Sequence, residues 1–291
     1  MDKEYQPRKG QADILDRAEE HIRSVPYRVT ARWLFYRLLQ DGIYHGKGDY
    51  HSQFLPLTAK ARKRFYGNWR PDTLADDTRE LIPGGDGFDD PGEWLEALKD
   101  QLEFPKSKWL NQDYYVEIWF EAAAMASQFR YYTEELPLFA FHGDVSIPGK
   151  WDTAKRLESS SKRYGLPVVV IYFGDDDEKG WLIPKSALAD IRDWCRVDFE
   201  FIRGGLNDGD GLRLGIPENP EKPGTYQWEA LSDNQAGDII TGLVDSYYDK
   251  EALADIRDEE SEVTKKFREK FKDFIANWER LGGEDGQISM R

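Results

Sequence analysis

The chain has 291 residues, 40% hydrophobic and 14% aromatic, enough apolar material for one large domain or two ordinary ones. The single cysteine, Cys195, excludes an internal disulfide and a multi-cysteine zinc site, and no run of eighteen apolar residues offers a transmembrane helix. A formal charge of −15 argues at first sight against nucleic acid, and the opening "MDKEYQPRKGQ" lacks an apolar segment, so a soluble cytoplasmic protein without a signal peptide is expected.

The charge is unevenly spread. Residues 1–70 hold 14 Lys/Arg against 8 Asp/Glu, a net of +6; the remaining 26 and 47 give −21. A basic front end on an acidic body is the asymmetry expected when one part meets a polyanion, although an acidic, solubilising C-terminal half explains the same numbers.

Taken in chain order, Ala12, Leu15, Ala18, Ile22 and Val25 recur at helical spacing until Pro26 stops them. Thr30 is placed to cap a second helix, "ARWLFYRLLQ", which Asp41-Gly42 ends. A third helix is expected within "FLPLTAKARKRFYG", with Lys60, Arg62, Lys63 and Arg64 crowded together as candidate DNA contacts. Three short helices with a basic third suggest a helix-turn-helix or winged-helix module; the alternative is a helical subdomain with a solvated basic face. Residues 82–112 read as a Gly-, Pro- and Asp-rich linker carrying one helix around Trp94 to Leu102. The expected division is therefore a DNA-binding domain with linker at 1–104, a second domain at 105–248 and a helical extension at 249–291.

Beyond the linker, strands and helices alternate. Strands are predicted at 114–120, 137–143, 167–174 and 196–204, separated by helices in "EAAAMASQFRYY", "WDTAKRLESSSKRYG" and "PKSALADIRDWC". Apolar strands alternating with helices predict an α/β domain with a four-stranded parallel sheet covered on both faces, and such sheets bind ligands beyond the C-terminal ends of their strands. There the third strand runs into "GDDDEKG". Asp175 and Asp177, two apart, point the same way if extended, and Glu121 ends the first strand. Convergence of Glu121, Asp175 and Asp177 would suit a hard divalent cation, Mg²⁺ or alternatively Mn²⁺. A solvated loop or a helix N-terminus favouring anions remains the plainer reading of the aspartates. Glu229 in "WEAL" is a further acidic residue to place near such a metal, while "NDGDG" (207–211) fails the EF-hand spacing and reads as a turn. In the charged helical tail, Phe267, Phe271, Phe274 and Trp278 form one apolar stripe, for the chain's own core or for a dimer.

A strand ending in Glu, followed by a strand ending in "DxD" on such a sheet, resembles the Toprim domain of topoisomerases, primases and certain nucleases. "GDDDEKG" resembles the form found in phage and plasmid proteins related to the DNA topoisomerase VI A subunit and the meiotic double-strand-break transesterase. "TARWLFYRLLQDGIY" is similar to the "R-x-x-[FY]-Y" helix of the same group's winged-helix domain, which puts the family's catalytic tyrosine at Tyr36 with Arg32 one turn earlier. "WRPDTLADDTRE" and "YQWEALSD" also look like the phage and plasmid members. Where many relatives carry a Lys after the first-strand Glu this chain has Ala122, and the turn "HGDVSIPGKW" keeps only Gly143 and Ser146.

The resemblance implies a winged-helix domain followed by a Toprim domain and Mg²⁺-dependent cleavage of double-stranded DNA by tyrosine transesterification. Tyr36, Arg32 and Glu121 would be the catalytic set and Glu121, Asp175 and Asp177 the metal set. It further implies a homodimer, with the tyrosine of one subunit meeting the metal site of the other; no membrane partner is expected from the lack of a long apolar run. A type IIB topoisomerase would need a separate ATPase subunit, since no "GxxxxGK[ST]" occurs here. A Toprim nuclease using activated water, with Tyr36 as a core aromatic, and an inactive DNA-binding regulator are the alternatives.

Overall fold

Two six-residue strands, β1 (Tyr115–Phe120) and β3 (Val168–Phe173), are buried at every position and lie side by side in parallel register from Tyr115↔Val168 to Phe120↔Phe173. β2 (Leu138–Ala140) and β4 (Phe199–Gly205) flank them, giving an all-parallel sheet of order β2-β1-β3-β4. This is the α/β architecture the alternation predicts; β2 is shorter than expected and β4 starts later. The structure, a computed structural model, describes residues 5–75, 87–88, 90–121, 123–133, 135–141, 143 and 145–282. Ala122, His142, Asp144 and residues 76–80 of "WRPDTLADDTRE" lie outside the described residues.

Side chains alternate across the sheet, and both faces are covered. On one face Tyr115 and Glu117 meet α6 (Ile147–Tyr164), which packs against α7 (Glu178–Trp194). Glu117 is 1% exposed and fully satisfied: Arg156 donates to both carboxylate oxygens at 2.9 and 3.0 Å, and the Tyr115 hydroxyl and the Trp119 indole each donate at 2.9 Å. On the other face Phe120 and Phe173 stack around Phe129 of α5 (Ala126–Thr133), with centroids 4.5 and 5.1 Å away. Trp228 closes that cluster, and α5 packs against α9 (Asp233–Val244).

The N-terminal helices are α1 (Lys9–Arg23), α2 (Ala31–Gln40) and α3 (Leu55–Lys63). Thr30 caps α2 as expected, its hydroxyl accepting from Trp33 N–H at 3.2 Å. A π-helical turn, Tyr50–Phe54, leads into α3 and stacks with Phe35 and Tyr44. Among the described residues of this region the one β contact is a parallel bridge between Thr30 and Ala75, so three helices are present and no hairpin wing is seen.

By contacts the chain divides into two compact units, Met1–Glu80 with Asp113–Tyr248, and Leu81–Gln112 with Asp249–Arg291. The first therefore joins the N-terminal helices to the sheet. In the second, α4 (Pro91–Gln101) packs on the 33-residue α10 (Lys250–Gly282). The predicted stripe lies on α10, with Phe267 54%, Phe274 49% and Trp278 44% exposed. The "NDGDG" segment is a turn opening the short α8 (Asp210–Leu214), with Gly209 at φ +82°. Among the described residues no helix is long and apolar enough to cross a membrane.

Candidate functional site

Because β1 and β3 end in register, Glu121 and the loop Gly174–Asp177 leave the sheet at the same edge. Glu121 N–H donates to Phe173 O at 3.0 Å, and Asp175 N–H donates to Glu121 Oε2 at 3.3 Å. The three aspartates then take different partners. Asp175 Oδ1 accepts from Trp228 N–H at 2.8 Å. Asp176 exchanges two backbone hydrogen bonds with Tyr226 and takes the Trp181 indole N–H on its carboxylate at 3.0 Å. Asp177 caps α7, accepting from Gly180 N–H at 2.8 Å, with Lys222 3.6 Å away. Asp177 is itself extended (φ −144°, ψ 173°) and α7 starts at the next residue, so its carboxylate serves the helix N-terminus while Asp175 is tied to Trp228; the charge of Asp177 still reaches both Asp175 and Glu121.

Helix α7 begins six residues before the predicted start. Pro184 lies inside it and has no N–H for the carbonyl of Gly180, one turn earlier. Arg203 of β4 supplies the missing donor, bonding Gly180 O at 2.6 Å, Asp175 O at 2.6 Å and Leu206 O at 2.9 Å, with its guanidinium 4.0 Å from the Trp181 ring centroid. Gly180 is required here, since a Cβ would sit 2.1 Å from Asp175 O.

The electrostatics of this edge are dominated by carboxylates. Burial, then the charges of Glu229 and Glu121, push Asp175 well above the usual carboxylate range. Burial also raises Glu121, with Asp177 and Glu229 adding to it against the opposing hydrogen bond from Asp175. Glu229, which the sequence offers as one more acidic residue, lies at the centre. It is 3% exposed in a 3₁₀ turn, Trp228–Ala230, and its Oε2 has no hydrogen-bond partner among the described residues. Among the described residues no group of three or more His, Cys, Asp or Glu is arranged to hold a metal ion. The donors on offer are nonetheless all carboxylate oxygens, one of them buried and unpartnered, which is the chemistry a hard cation requires.

The same turn docks on α2. Gln40 donates to Glu229 O at 3.2 Å and Arg37 to Leu231 O at 2.6 Å. Tyr36 is 7% exposed, and the Arg32 guanidinium lies 5.9 Å from its ring centroid. Burial and then Glu229 raise the Tyr36 phenol above its ordinary value, against Arg32 and Lys47. Arg32 is lowered by partial burial but held above its ordinary value by Glu229, Tyr36 and Asp175. The resemblance implies a tyrosine remote from its own chain's carboxylates. Here Tyr36, Arg32, Glu229, Asp175 and Glu121 occupy one unit, and Arg32 and Glu229 feel both ends of it.

The four candidate DNA contacts do not form one open face. Lys60, Lys63 and Arg64 are exposed, with Lys60 4.7 Å over the Tyr5 ring, whereas Arg62 is half-buried and donates to Thr58 O at 3.4 Å. Two lysines that the sequence did not single out lie closer to the carboxylates. A cavity of about 710 Å³ is lined by Glu121, Gly143, Lys179, Leu182, Ile183 and Lys185. Neither lysine is paired with a carboxylate among the described residues. Lys179 falls inside "GDDDEKG", but only the early start of α7 aims it at that cavity.

No protein-family model matches the chain, and no curated protein or solved structure matches it significantly.

Proposed function

We propose that this protein cleaves DNA in a divalent-cation-dependent reaction of the Toprim and topoisomerase VI A-subunit type, with Tyr36 as nucleophile. The observation that carries the reading is the continuity of Tyr36 and Arg32 with the carboxylate edge of a four-stranded parallel sheet, made through Glu229 in a single unit. In this reading α1–α3 serve as a winged-helix-like DNA-binding module, and Lys179 and Lys185 offer positive charge to a phosphate lying over Glu121. The residues at the carboxylate edge would hold Mg²⁺, which would neutralise charge on the phosphate oxygens. The Tyr36 oxygen forms a bond to phosphorus while its proton passes to water. The bond from phosphorus to the adjacent sugar oxygen breaks, and that oxygen leaves as a hydroxyl after taking up a proton. Arg32, at the phenol, favours the ionised oxygen and the charge developing on phosphate. The homodimer and the separate ATPase subunit belong to the same proposal.

A second reading has its own support. Burial and then Glu229 raise the Tyr36 phenol above its ordinary value, so it gives up its proton less readily than a free phenol, which suits a hydrolytic nuclease that leaves Tyr36 structural. Supercoiled plasmid incubated with protein and Mg²⁺, denatured and run with and without protease, separates them. Protein-linked DNA from the wild type and none from Tyr36→Phe is the expected result. Undiminished nicking by Tyr36→Phe would eliminate transesterification and leave the hydrolytic reading.

A further inference from the structure

We infer that Asp175 and Glu229 form a divalent-cation site, with the ion beside Arg32 and Tyr36 of the same chain and with Asp177 outside its direct ligands. This rests on the metal-dependent reading above and narrows it to a ligand pair that spacing along the sequence does not suggest.

Two buried glutamates in one unit make the argument. Glu117 receives four donors on its two oxygens. Glu229 is almost as buried, and its Oε2 receives none. One oxygen of the Glu229 carboxylate is thus shut away from water without a partner, a costly arrangement that a cation at this position would relieve. No nearby arginine hydrogen-bonds this oxygen among the described residues: Arg203 is engaged by three carbonyls, Arg37 by Leu231 O and the Gln40 side chain, and Arg32 acts on Glu229 only through its charge. Asp175 is brought alongside by the bond from Trp228 N–H, the residue next to Glu229, to its Oδ1. Its Oδ2 makes no hydrogen bond among the described residues. Asp177, in contrast, has its carboxylate committed to the N-terminus of α7 and to Lys222. Mg²⁺ keeps several waters and commonly takes only one or two protein carboxylates, so a pair is a sufficient set and no triad is needed.

The test needs no DNA. Mn²⁺ affinity is measured by calorimetry on the full chain, together with the rise in melting temperature that Mg²⁺ produces. Glu229→Gln and Asp175→Asn should each weaken Mn²⁺ binding at least tenfold and abolish the Mg²⁺-induced rise, while Asp177→Asn should weaken binding less than threefold. Without metal, Glu229→Gln should melt no lower than the wild type, which excludes misfolding as the cause; Glu229→Asp should recover part of the affinity. Unchanged Mn²⁺ affinity in Glu229→Gln, a loss in Asp177→Asn equal to that in Asp175→Asn, or a wild type that binds no Mn²⁺ would overturn the site. Tight Mn²⁺ binding without any DNA cleavage would instead sink the proposed function and leave the site standing.

Discussion

Arg203→Met tests what holds the aspartate loop. Methionine keeps the unbranched stem as far as about the position of Nε and removes every donor. Three carbonyls then lose a charged partner: Gly180, Asp175 and Leu206. Gly180 is the critical one, because Pro184 cannot replace the lost bond from within α7. Hydrogen bonds to charged groups contribute about 1.5–3 kcal/mol each when buried. Arg203 is half-buried, so water recovers part of this, and a net loss of about 3–4 kcal/mol is expected. Urea unfolding followed by tryptophan fluorescence measures it, with the slope checked for constancy. Arg203→Lys, with one compact ammonium in place of a fork, should recover about a third. A loss below about 1 kcal/mol for Arg203→Met would refute the idea that this side chain completes α7.

Four further outcomes are expected. Gly180→Ala drives a methyl into Asp175 O and should destabilise by about 3 kcal/mol or more in the same urea assay, the loop shift appearing as weakened Mn²⁺ binding. Asp177→Ala should lose about 1 kcal/mol as the cap of α7 disappears, whereas Asp177→Asn, which still accepts from Gly180 N–H, should lose much less. Asp41 is held below the usual carboxylate range by hydrogen bonds from Arg17 and, after opposing burial, from His21. Its folded value lies below its unfolded value of about 3.9, so its contribution is complete above that pH and is lost as pH falls through the folded value; Asp41→Asn should flatten the fall in urea midpoint between about pH 4 and pH 2. Because Tyr36 and Asp175 lie in one unit, mixing Tyr36→Phe chains with Asp175→Asn chains should restore no plasmid nicking; nicking by the mixture would show that tyrosine and carboxylate act across two chains.

The sheet was legible because its central strands are read locally. "YVEIWF" and "VVVIYF" are near-continuous apolar runs, which is what burial on both faces demands. Thr30 likewise advertised a helix start through its own hydroxyl. What escaped the sequence depends on partners far along the chain. Pro184 reads as a helix start, and only a donor from Arg203 allows the helix to run through it. That Asp175 bonds Trp228 and Asp176 bridges Tyr226, both about fifty residues on, is likewise a matter of distant partners. Glu229 could be suspected as an acid near the others, but its unpartnered oxygen is a property of packing that no local pattern carries. Arg62 looked equivalent to Lys60 and Lys63, yet helical geometry turns it toward Thr58.

The turn Trp228–Ala230 behaves mechanically as a short strut. One end is bonded to the loop after β3 through Asp175, and the other to α2 through Gln40 and Arg37. Neither attachment passes through a flexible linker, so a displacement of the aspartate loop is handed to the helix carrying Tyr36 instead of being absorbed between them. The two ends of the site therefore cannot drift independently. A substitution that lengthens or shortens this turn should be tolerated only alongside changes at both of its anchors, which makes the spacing from Tyr226 to Leu231 the least adjustable dimension of the site.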